Sequence, residues 1–314
     1  MYHTRSHGIL RYSTKMYTWM LFVYVFLGSG ASDNAIFIRD AGHDPIWRNV
    51  VQRILRFRAI WLLIGLFLGI ISILYVNNIL FFFVPALVIF TLALALSLGP
   101  IVVEERTKSS WEFLLTVPYD MRAILLGKAS GALWHIRFLT YAMGILLMCA
   151  SAVVGATSLT LIPDSITRTH GWYELGLCGV LLITPILGSL LFIFDRMQQY
   201  ALMAVTAMAS GTAARSMRAA LLTATAGVLL IWLVEIAAAQ AFLTLEQGDA
   251  WRLNFTSILS VATLGPMASY TSRMSLSHAA LFIVGTLLLR EVLIGSLWRW
   301  TLRSARGKDT QANL

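Results

Sequence analysis

The sequence contains little charge. Only 12% of its 314 residues are Asp, Glu, Lys or Arg, about half of the roughly 25% that is usual in a soluble domain. Hydrophobic residues make up 58%, and the mean hydropathy is +0.75. A soluble fold of this length could not cover so much apolar surface, whereas lipid can. The composition therefore excludes an ordinary soluble protein and predicts an all-α polytopic membrane protein.

The sequence also lacks the residue patterns of catalytic and metal sites. The two cysteines, Cys149 and Cys178, lie in apolar segments and form no spaced metal motif. A phosphate-binding loop needs G-x-x-x-x-G-K-[ST], but Gly127-Lys128 is followed by Ala129, and Arg122 stands where the first glycine belongs. We therefore expect no enzyme activity, no ATP hydrolysis, no metal and no cofactor in this chain.

Long apolar runs take up most of the chain. A helix needs about 20 mainly apolar residues to cross a hydrocarbon core. Six segments meet this requirement and are predicted to span the membrane: Ala59 to Val76, Ile79 to Val103, Phe138 to Ile162, Leu175 to Phe194, Ala219 to Leu243 and Ala279 to Trp298. Asn77-Asn78 alone separate the first two, which predicts a tight turn. We interpret Gln199 to Ala214 as a cytoplasmic or interfacial extension of the fourth span.

The basic residues predict the orientation. Of the 24 lysines and arginines, 20 fall on the side that holds both termini, and Arg290 lies inside a span. The opposite side has only Arg168, Arg252 and Arg273. This imbalance predicts a bacterial-type inner-membrane protein with both termini in the cytoplasm. It also accounts for the net charge of +9 without nucleic-acid binding, for which no basic stripe or groove helix is present.

Three segments do not belong to plain spans. Residues 1–43 form an N-terminal extension of uncertain status, in which Met16 to Gly28 resembles a secretory signal; an interfacial helix or a misassigned start codon are the alternatives. Pro45 to Arg58 predicts a basic amphipathic helix at the cytoplasmic interface, either a lipid anchor or part of a partner-docking surface. Asn254 to Tyr270, interrupted by a Gly-Pro pair, predicts an outer re-entrant hairpin.

The loop between the second and third spans has its own helical pattern. A short helix is predicted from Ser110 to Val117, with Ser109 or Ser110 as its cap and Pro118 as its end. Its apolar face comprises Trp111, Leu114 and Leu115. A second helical piece is predicted from Met121 to Lys128. An exposed apolar face usually binds a partner, and an interfacial helix without a partner is the alternative.

The loop resembles the cytoplasmic coupling loop of ABC exporter permeases of the ABC-2 class. Glu105 matches the family's acidic start, Glu112 the acid before the leucines, Leu114-Leu115 the leucine pair and Pro118 the terminating proline. Ser110 takes the place of the usual Thr, and Ser109 that of the usual Gly. Ile124 to Lys128 matches the apolar run ending in Gly-Lys that follows the proline in this family. Weaker matches extend the resemblance over about residues 44 to 303: they are Asp44-Pro45-Ile46, Ser210 to Arg218 and Gly265-Pro266.

This resemblance implies a fold and a set of partners. The fold is a transmembrane domain of residues 44–303 with six spans, an elbow helix, a coupling helix and an outer hairpin, followed by a polar cytoplasmic tail at 304–314. The partners are a second permease subunit, membrane lipid and a separate ATPase that binds ATP and Mg. In such exporters each coupling helix sits in a groove on the ATPase. The groove contacts would be Trp111, Phe113, Leu114 and Leu115, with charge pairing by Glu105, Arg106 and Glu112.

Three ionisable residues are predicted at membrane depth, where such groups are functional candidates. They are Glu235, Arg290 and Glu291. Arg290 and Glu291 point about 100° apart on a helix and cannot simply pair. Glu235 is expected to lie several ångströms from the depth of Arg290. A structural ion pair or dimer contact is one interpretation, and contact with a substrate head group or gating is the other.

Two other function classes remain open. One is a membrane anchor in an ATPase-driven assembly that transports nothing, since its coupling loop would look the same. The other is an ion-coupled secondary transporter, which would need broken helices in symmetric halves. The sequence predicts neither the substrate nor whether the permease pairs with itself or with a different subunit.

Overall fold

The computed structural model describes residues 35–41, 76–108, 110–116, 120–158, 173–247 and 276–307. Within these ranges every regular element is an α-helix. We number the helices in chain order: α1 Ala35–Ala41, α2 Val76–Leu98, α3 Ile101–Thr107, α4 Ser110–Thr116, α5 Met121–His135, α6 Arg137–Ser158, α7 Tyr173–Ala213, α8 Met217–Gln247 and α9 Leu276–Gly307.

Among the described residues, four stretches are long and apolar enough to cross a membrane. They are Pro85–Thr107, Arg137–Ala156, Met217–Ala241 and Ala280–Ala305. They overlap the second, third, fifth and sixth predicted spans. Large apolar side chains on α8 and α9, such as Leu222 and Leu281, are exposed on the isolated chain, as expected of helices with a lipid-facing or partner-facing side. The protein is therefore a multi-pass membrane protein whose described elements are all α-helices.

Helix α7 is the centre of the described bundle. It packs against α2, α3, α6, α8 and α9. Its 41 residues correspond to a rod of about 60 Å at 1.5 Å per residue. Residues 201–209, mostly Ala and Met, are all buried. The helix thus continues through the segment that is predicted to be a cytoplasmic or interfacial extension of the fourth span. Among the described residues this segment is the most buried part of α7, because its small side chains let neighbouring helices approach closely.

One such close approach joins α2, α7 and α8. Gly211, near the end of α7, lies so close to Gly99 that a Cβ on Gly211 would overlap the Gly99 carbonyl. A Cβ on Gly99 would in turn lie 2.6 Å from the Cβ of Ala224 on α8. Both positions therefore require glycine. The contact fixes the end of α7 at the turn between α2 and α3.

Several predicted boundaries are corrected by the structure. Asn77 and Asn78 lie in the first turn of α2, so they do not form the predicted turn between spans. Helix α5 continues past Lys128 to His135. The predicted tail begins inside α9, which ends at Gly307 and buries Ala305. Most of the predicted first span, the signal-like segment, the elbow helix and the re-entrant hairpin lie outside the described residues.

Candidate functional site

The predicted loop helix is present as α4, Ser110–Thr116. The side that it exposes differs from the prediction. Trp111 is 2% exposed and Leu114 is equally buried, both in the chain's own core, whereas Phe113 is 69% exposed and Glu112 is exposed beside it. Trp111 and Leu114 therefore do not form an exposed apolar face, because α4 packs against α3 and both side chains are covered by the same chain. Phe113 is the exposed aromatic residue of α4.

The remaining predicted loop residues are placed only in part. Leu115 belongs to α4, but its side chain is outside the described part of the structure. Ser109 and Pro118 are outside the described residues. The possible cap at Ser109 and the end at Pro118 therefore stay predictions.

Glu105 is the anchor of the loop within this chain. It is buried on α3, and its carboxylate accepts hydrogen bonds from the Lys128 ammonium of α5, the Ser110 hydroxyl of α4 and, at 3.0 Å, Arg39 Nη2 of α1. Lys128 Nζ also lies 2.9 Å from Asp40 Oδ2. Glu105, predicted to pair with another protein, therefore has its partners inside the chain.

Arg39 remains charged in this arrangement. Partial burial on its own lowers the pKa of its guanidinium, but the hydrogen bonds and charges of Asp40 and Glu105 outweigh that effect. The pKa of Arg39 is therefore raised above its ordinary value. The N-terminal extension thus contributes a permanent positive charge to the base of the loop.

Arg106 joins the loop to the end of α7. Its Nη1 donates a hydrogen bond to the carbonyl oxygen of Thr212 at 3.4 Å, one residue before α7 ends. Its guanidinium also lies 5.7 Å from the centre of the Trp111 ring, within cation–π range. A cation at the carbonyl end of a helix is stabilised by the helix dipole. Arg106 therefore couples α4 to α7 rather than extending towards solvent.

The exposed rim of the loop carries a simple ion pair. Lys108 Nζ lies 2.6 Å from Glu104 Oε1, one turn earlier. The hydrogen bond and charge of Glu104 raise the pKa of the Lys108 ammonium. Both side chains are solvated, so the pair contributes little to stability.

A second polar cluster lies inside the bundle, where α7, α8 and α9 meet. Arg290 Nε donates to Glu235 Oε1 at 2.6 Å, and Arg290 Nη1 donates to the Asp195 carboxylate at 2.5 Å and to its backbone carbonyl at 3.2 Å. Glu235 and Arg290 therefore form an ion pair, although the sequence places them several ångströms apart in depth. The long arginine side chain makes such a pair possible.

Two glutamines of α7 extend this cluster. Gln199 Nε2 donates to Glu235 Oε2 at 2.8 Å, and Gln198 Nε2 donates to Glu291 Oε2 at 2.9 Å. Arg196, fully buried, donates to Gln199 Oε1 at 2.5 Å. Glu291 and Arg290 thus point to different partners, as their angular separation on the helix predicts. The three predicted charges are brought to one place, and α7 supplies the other half of the cluster.

Sequence reasoning missed this half. Asp195 and Arg196 come directly after the fourth predicted span, and Arg196 is one of the 20 basic residues that the sequence assigns to the side of the termini. The structure keeps both in the middle of α7 and buries them. A usable signal was the stretch after them, because residues 197–214 carry no charge at all. An isolated Asp-Arg pair between two uncharged stretches is typical of a polar site within a helix.

Some hydrogen-bonding capacity of the cluster is unused. Asp195 Oδ2 and Arg196 Nε lie 3.3 Å apart as an ion pair, but neither atom forms a hydrogen bond among the described residues. The buried atoms Arg196 Nη2 and Gln198 Oε1 also have no hydrogen-bond partner there. Buried polar groups of this kind usually have a partner. No group of His, Cys, Asp and Glu in the described part of the chain could hold a metal ion. The cluster is suited to holding helices together and to binding polar groups, and it offers no nucleophile with an adjacent base.

The fold and the two polar networks define the class of the protein: a multi-pass helical membrane protein with a helical loop fixed to its central helix. Comparisons with protein-family models, with curated proteins and with solved structures find no match for this chain.

Proposed function

We propose that the chain is the permease subunit of an ATP-driven exporter in a bacterial-type inner membrane, with ATP and Mg bound by a separate ATPase. The observation that carries the proposal is the contrast within α4: Phe113 is 69% exposed while Trp111, two residues earlier, is buried in the core. A partner that binds Phe113 would transmit its movement to the core of this chain, because Trp111 on the same helix is buried there. An exposed aromatic residue on such a helix is a typical binding anchor.

The position of α4 supports a mechanical role. Helix α3 connects it through the Gly99-Pro100 turn to α2, which belongs to a candidate span. Arg106 connects the same region to the end of α7 at Thr212. We infer that ATP-driven movement of the partner shifts α4, and that α2 and α7 follow. Such a transition needs two arrangements of the helices that the partner can bias.

The interior cluster is the proposed point at which this movement takes effect. Helix α7 contributes Asp195 and Gln199, while Glu235 and Arg290 belong to α8 and α9. A shift of α7 would therefore change the partners of Arg290. We propose that the cluster holds one arrangement of the bundle closed and releases it when α7 moves. This role combines the structural and gating interpretations of these charges.

One observation favours a second candidate, an ion-coupled transporter. Asp195 and Glu235 are carboxylates inside the bundle, as ion coupling requires. Both are already held by Arg290, so a cation would have to displace a guanidinium to bind. Transport that continues without ATP, but stops when an ionophore removes the ion gradient, would favour this candidate over the exporter.

The test of the exporter proposal is Phe113→Ala. The tagged full-length chain is purified from its native membrane in mild detergent, and the ATP hydrolysis that purifies with it is measured. We expect hydrolysis with the parent chain and a loss of about tenfold or more with Phe113→Ala, as for removal of a central interface aromatic.

The matched control is Phe138→Ala, since Phe138 is also a strongly exposed phenylalanine but lies at the start of α6. It should leave the associated hydrolysis unchanged. Absence of any ATPase from the parent preparation, or equal hydrolysis in both variants, would refute the assignment of α4. Trp111→Ala is a poor test because it opens a cavity in the chain's own core.

A further inference from the structure

A closed ring of four alternating charges joins helix α1 to the loop. Arg39 Nε lies 2.8 Å from Asp40 Oδ1, and Asp40 Oδ2 lies 2.9 Å from Lys128 Nζ. Lys128 pairs with Glu105, and Arg39 Nη2 closes the ring at 3.0 Å from the same carboxylate. Two members belong to α1, one to α3 and one to α5. The ring therefore joins the two helices that flank α4.

The surface of α5 around Gly131 and Trp134, which we call the seat, packs against α1 next to this ring. Gly131 lies against Asp40, so that a Cβ on Gly131 would be 2.8 Å from the Asp40 Cβ. One turn further along, the Trp134 ring meets Phe37 edge to face with centroids 5.7 Å apart. Ile36 is buried in the same core. Steric fit, aromatic contact and charge thus converge on a helix of only seven residues.

Helix α1 is also separable from the rest of the fold. A helix of seven residues is not stable alone in water, so α1 depends on its seat. If α1 leaves, Lys128 and Glu105 still neutralise each other. No buried charge is left without a partner, so the bundle can remain folded with α1 attached or detached.

We propose that α1 is a clasp that positions α4. Arg39 and Asp40 hold Glu105 and Lys128, and Glu105 accepts the hydroxyl hydrogen bond of Ser110 at the first residue of α4. Attachment of α1 orders α4, and detachment loosens it. Helix α1 thereby controls how rigidly α4 holds Phe113 in position. The consequence for ATP-driven transport rests on the proposed function, whereas the positioning of α4 does not.

The test compares two independent ways of detaching α1. Asp40→Asn removes its charge from the ring, and Gly131→Ala fills the seat without touching α3 or α4. Amide hydrogen exchange is measured on the full-length chain in lipid nanodiscs. We expect exchange in α4 to accelerate about tenfold in either variant. The double variant should exchange no faster than about twice the faster single variant, since both changes act by the same detachment.

Two controls separate positioning from general loosening. Gly144→Ala makes the same substitution in α6 where a Cβ meets nothing within 4 Å, and it should leave α4 unchanged. Residues 201–209 of α7 should remain protected in every variant. Asp40→Glu, which keeps the charge, should restore most of the protection that Asp40→Asn loses. Unchanged exchange in α4, or equal acceleration in α7, would overturn the clasp.

The rate of ATP hydrolysis is a further measurement, and its interpretation depends on the proposed function. With the ATPase bound, Gly131→Ala should lower the stimulation of hydrolysis severalfold and Gly144→Ala should not. If exchange in α4 responds but no ATPase binds the parent chain, the exporter proposal fails and the clasp stands. If Phe113→Ala removes the ATPase but exchange in α4 does not respond, the clasp fails and the exporter proposal stands.

Discussion

The two ion networks of this protein have a similar composition but very different surroundings. In the interior cluster, the side chains of Arg290 and Asp195 are 4% and 2% exposed. In the ring at the loop, the side chains of Arg39 and Asp40 on α1 are 42% and 21% exposed, whereas those of Lys128 and Glu105 are 8% exposed. Each network joins three helices. The difference teaches that similar ion pairs can fix one part of a fold while leaving another part releasable.

The physical reason is the cost of an unpaired charge. A charge deep in a bundle loses its hydration and depends wholly on its protein partners. A charge at a partly open surface can return to water when its partner leaves. The contacts of the interior cluster should therefore be lost only together with the packing of the bundle. The contacts of α1 in the ring can break and form again with little effect on the bundle.

Arg290→Met should lower the stability of the protein more than any substitution in the ring. The change removes the guanidinium that contacts both Asp195 and Glu235. Arg196 Nε still lies 3.3 Å from Asp195 Oδ2, whereas Glu235 loses its cationic partner among the described residues, and we expect a loss of about 3–5 kcal/mol in the free energy of unfolding. The measurement is denaturant unfolding in bicelles. Arg299→Met is the matched control on α9, because Arg299 is exposed and bonds only the Gly295 carbonyl of its own helix among the described contacts. Equal stability of the two variants would contradict a structural role for the cluster.

Lys128→Met should have the intermediate effect. Lys128 is buried beside Asp40 and Glu105, but Arg39 remains to compensate both carboxylates. We expect a loss of about 1–3 kcal/mol, the usual range when a partner of a buried polar group is removed. The same unfolding measurement checks it. A loss as large as that of Arg290→Met would mean that the ring is as inflexible as the interior cluster.

Lys108→Gln should have the smallest effect. Lys108 and Glu104 are both solvated, so neither loses hydration when the pair is broken. We expect no measurable change in unfolding at physiological salt, even though Glu104 raises the pKa of Lys108. Unfolding of the parent and the variant at low and high salt provides the check. A clear difference at high salt would show that the pair has a role beyond screened attraction.

The sequence predicts the long uninterrupted helices well. The third span was expected to begin at Phe138, and α6 begins at Arg137; the fifth was expected to begin at Ala219, and α8 begins at Met217. Both starts lie where a basic residue, Arg137 or Arg218, is followed by a long apolar run, and hydropathy locates such a change well. The short helix α4 also follows from its local pattern, because its serine and proline signals lie close together in the chain.

The parts that could not be predicted depend on tertiary packing. Hydropathy ends the fourth span at Phe194, directly before Asp195, since no sequence signal shows that Arg290, 95 residues later, pairs with Asp195. In α4, Trp111, Phe113 and Leu114 put apolar groups on more than one side. Only the packing against α3 decides which of them is buried.

The length of helix α7 allows it to act as a lever. Its end is fixed at Gly211, and Asp195 lies 16 residues away with no proline between them. That distance is about 24 Å, so a tilt of about 5° at the fixed end would displace Asp195 by about 2 Å. A hydrogen bond of 2.5 Å does not survive such a displacement. An angle too small to disturb packing at one end would thus switch a contact off at the other.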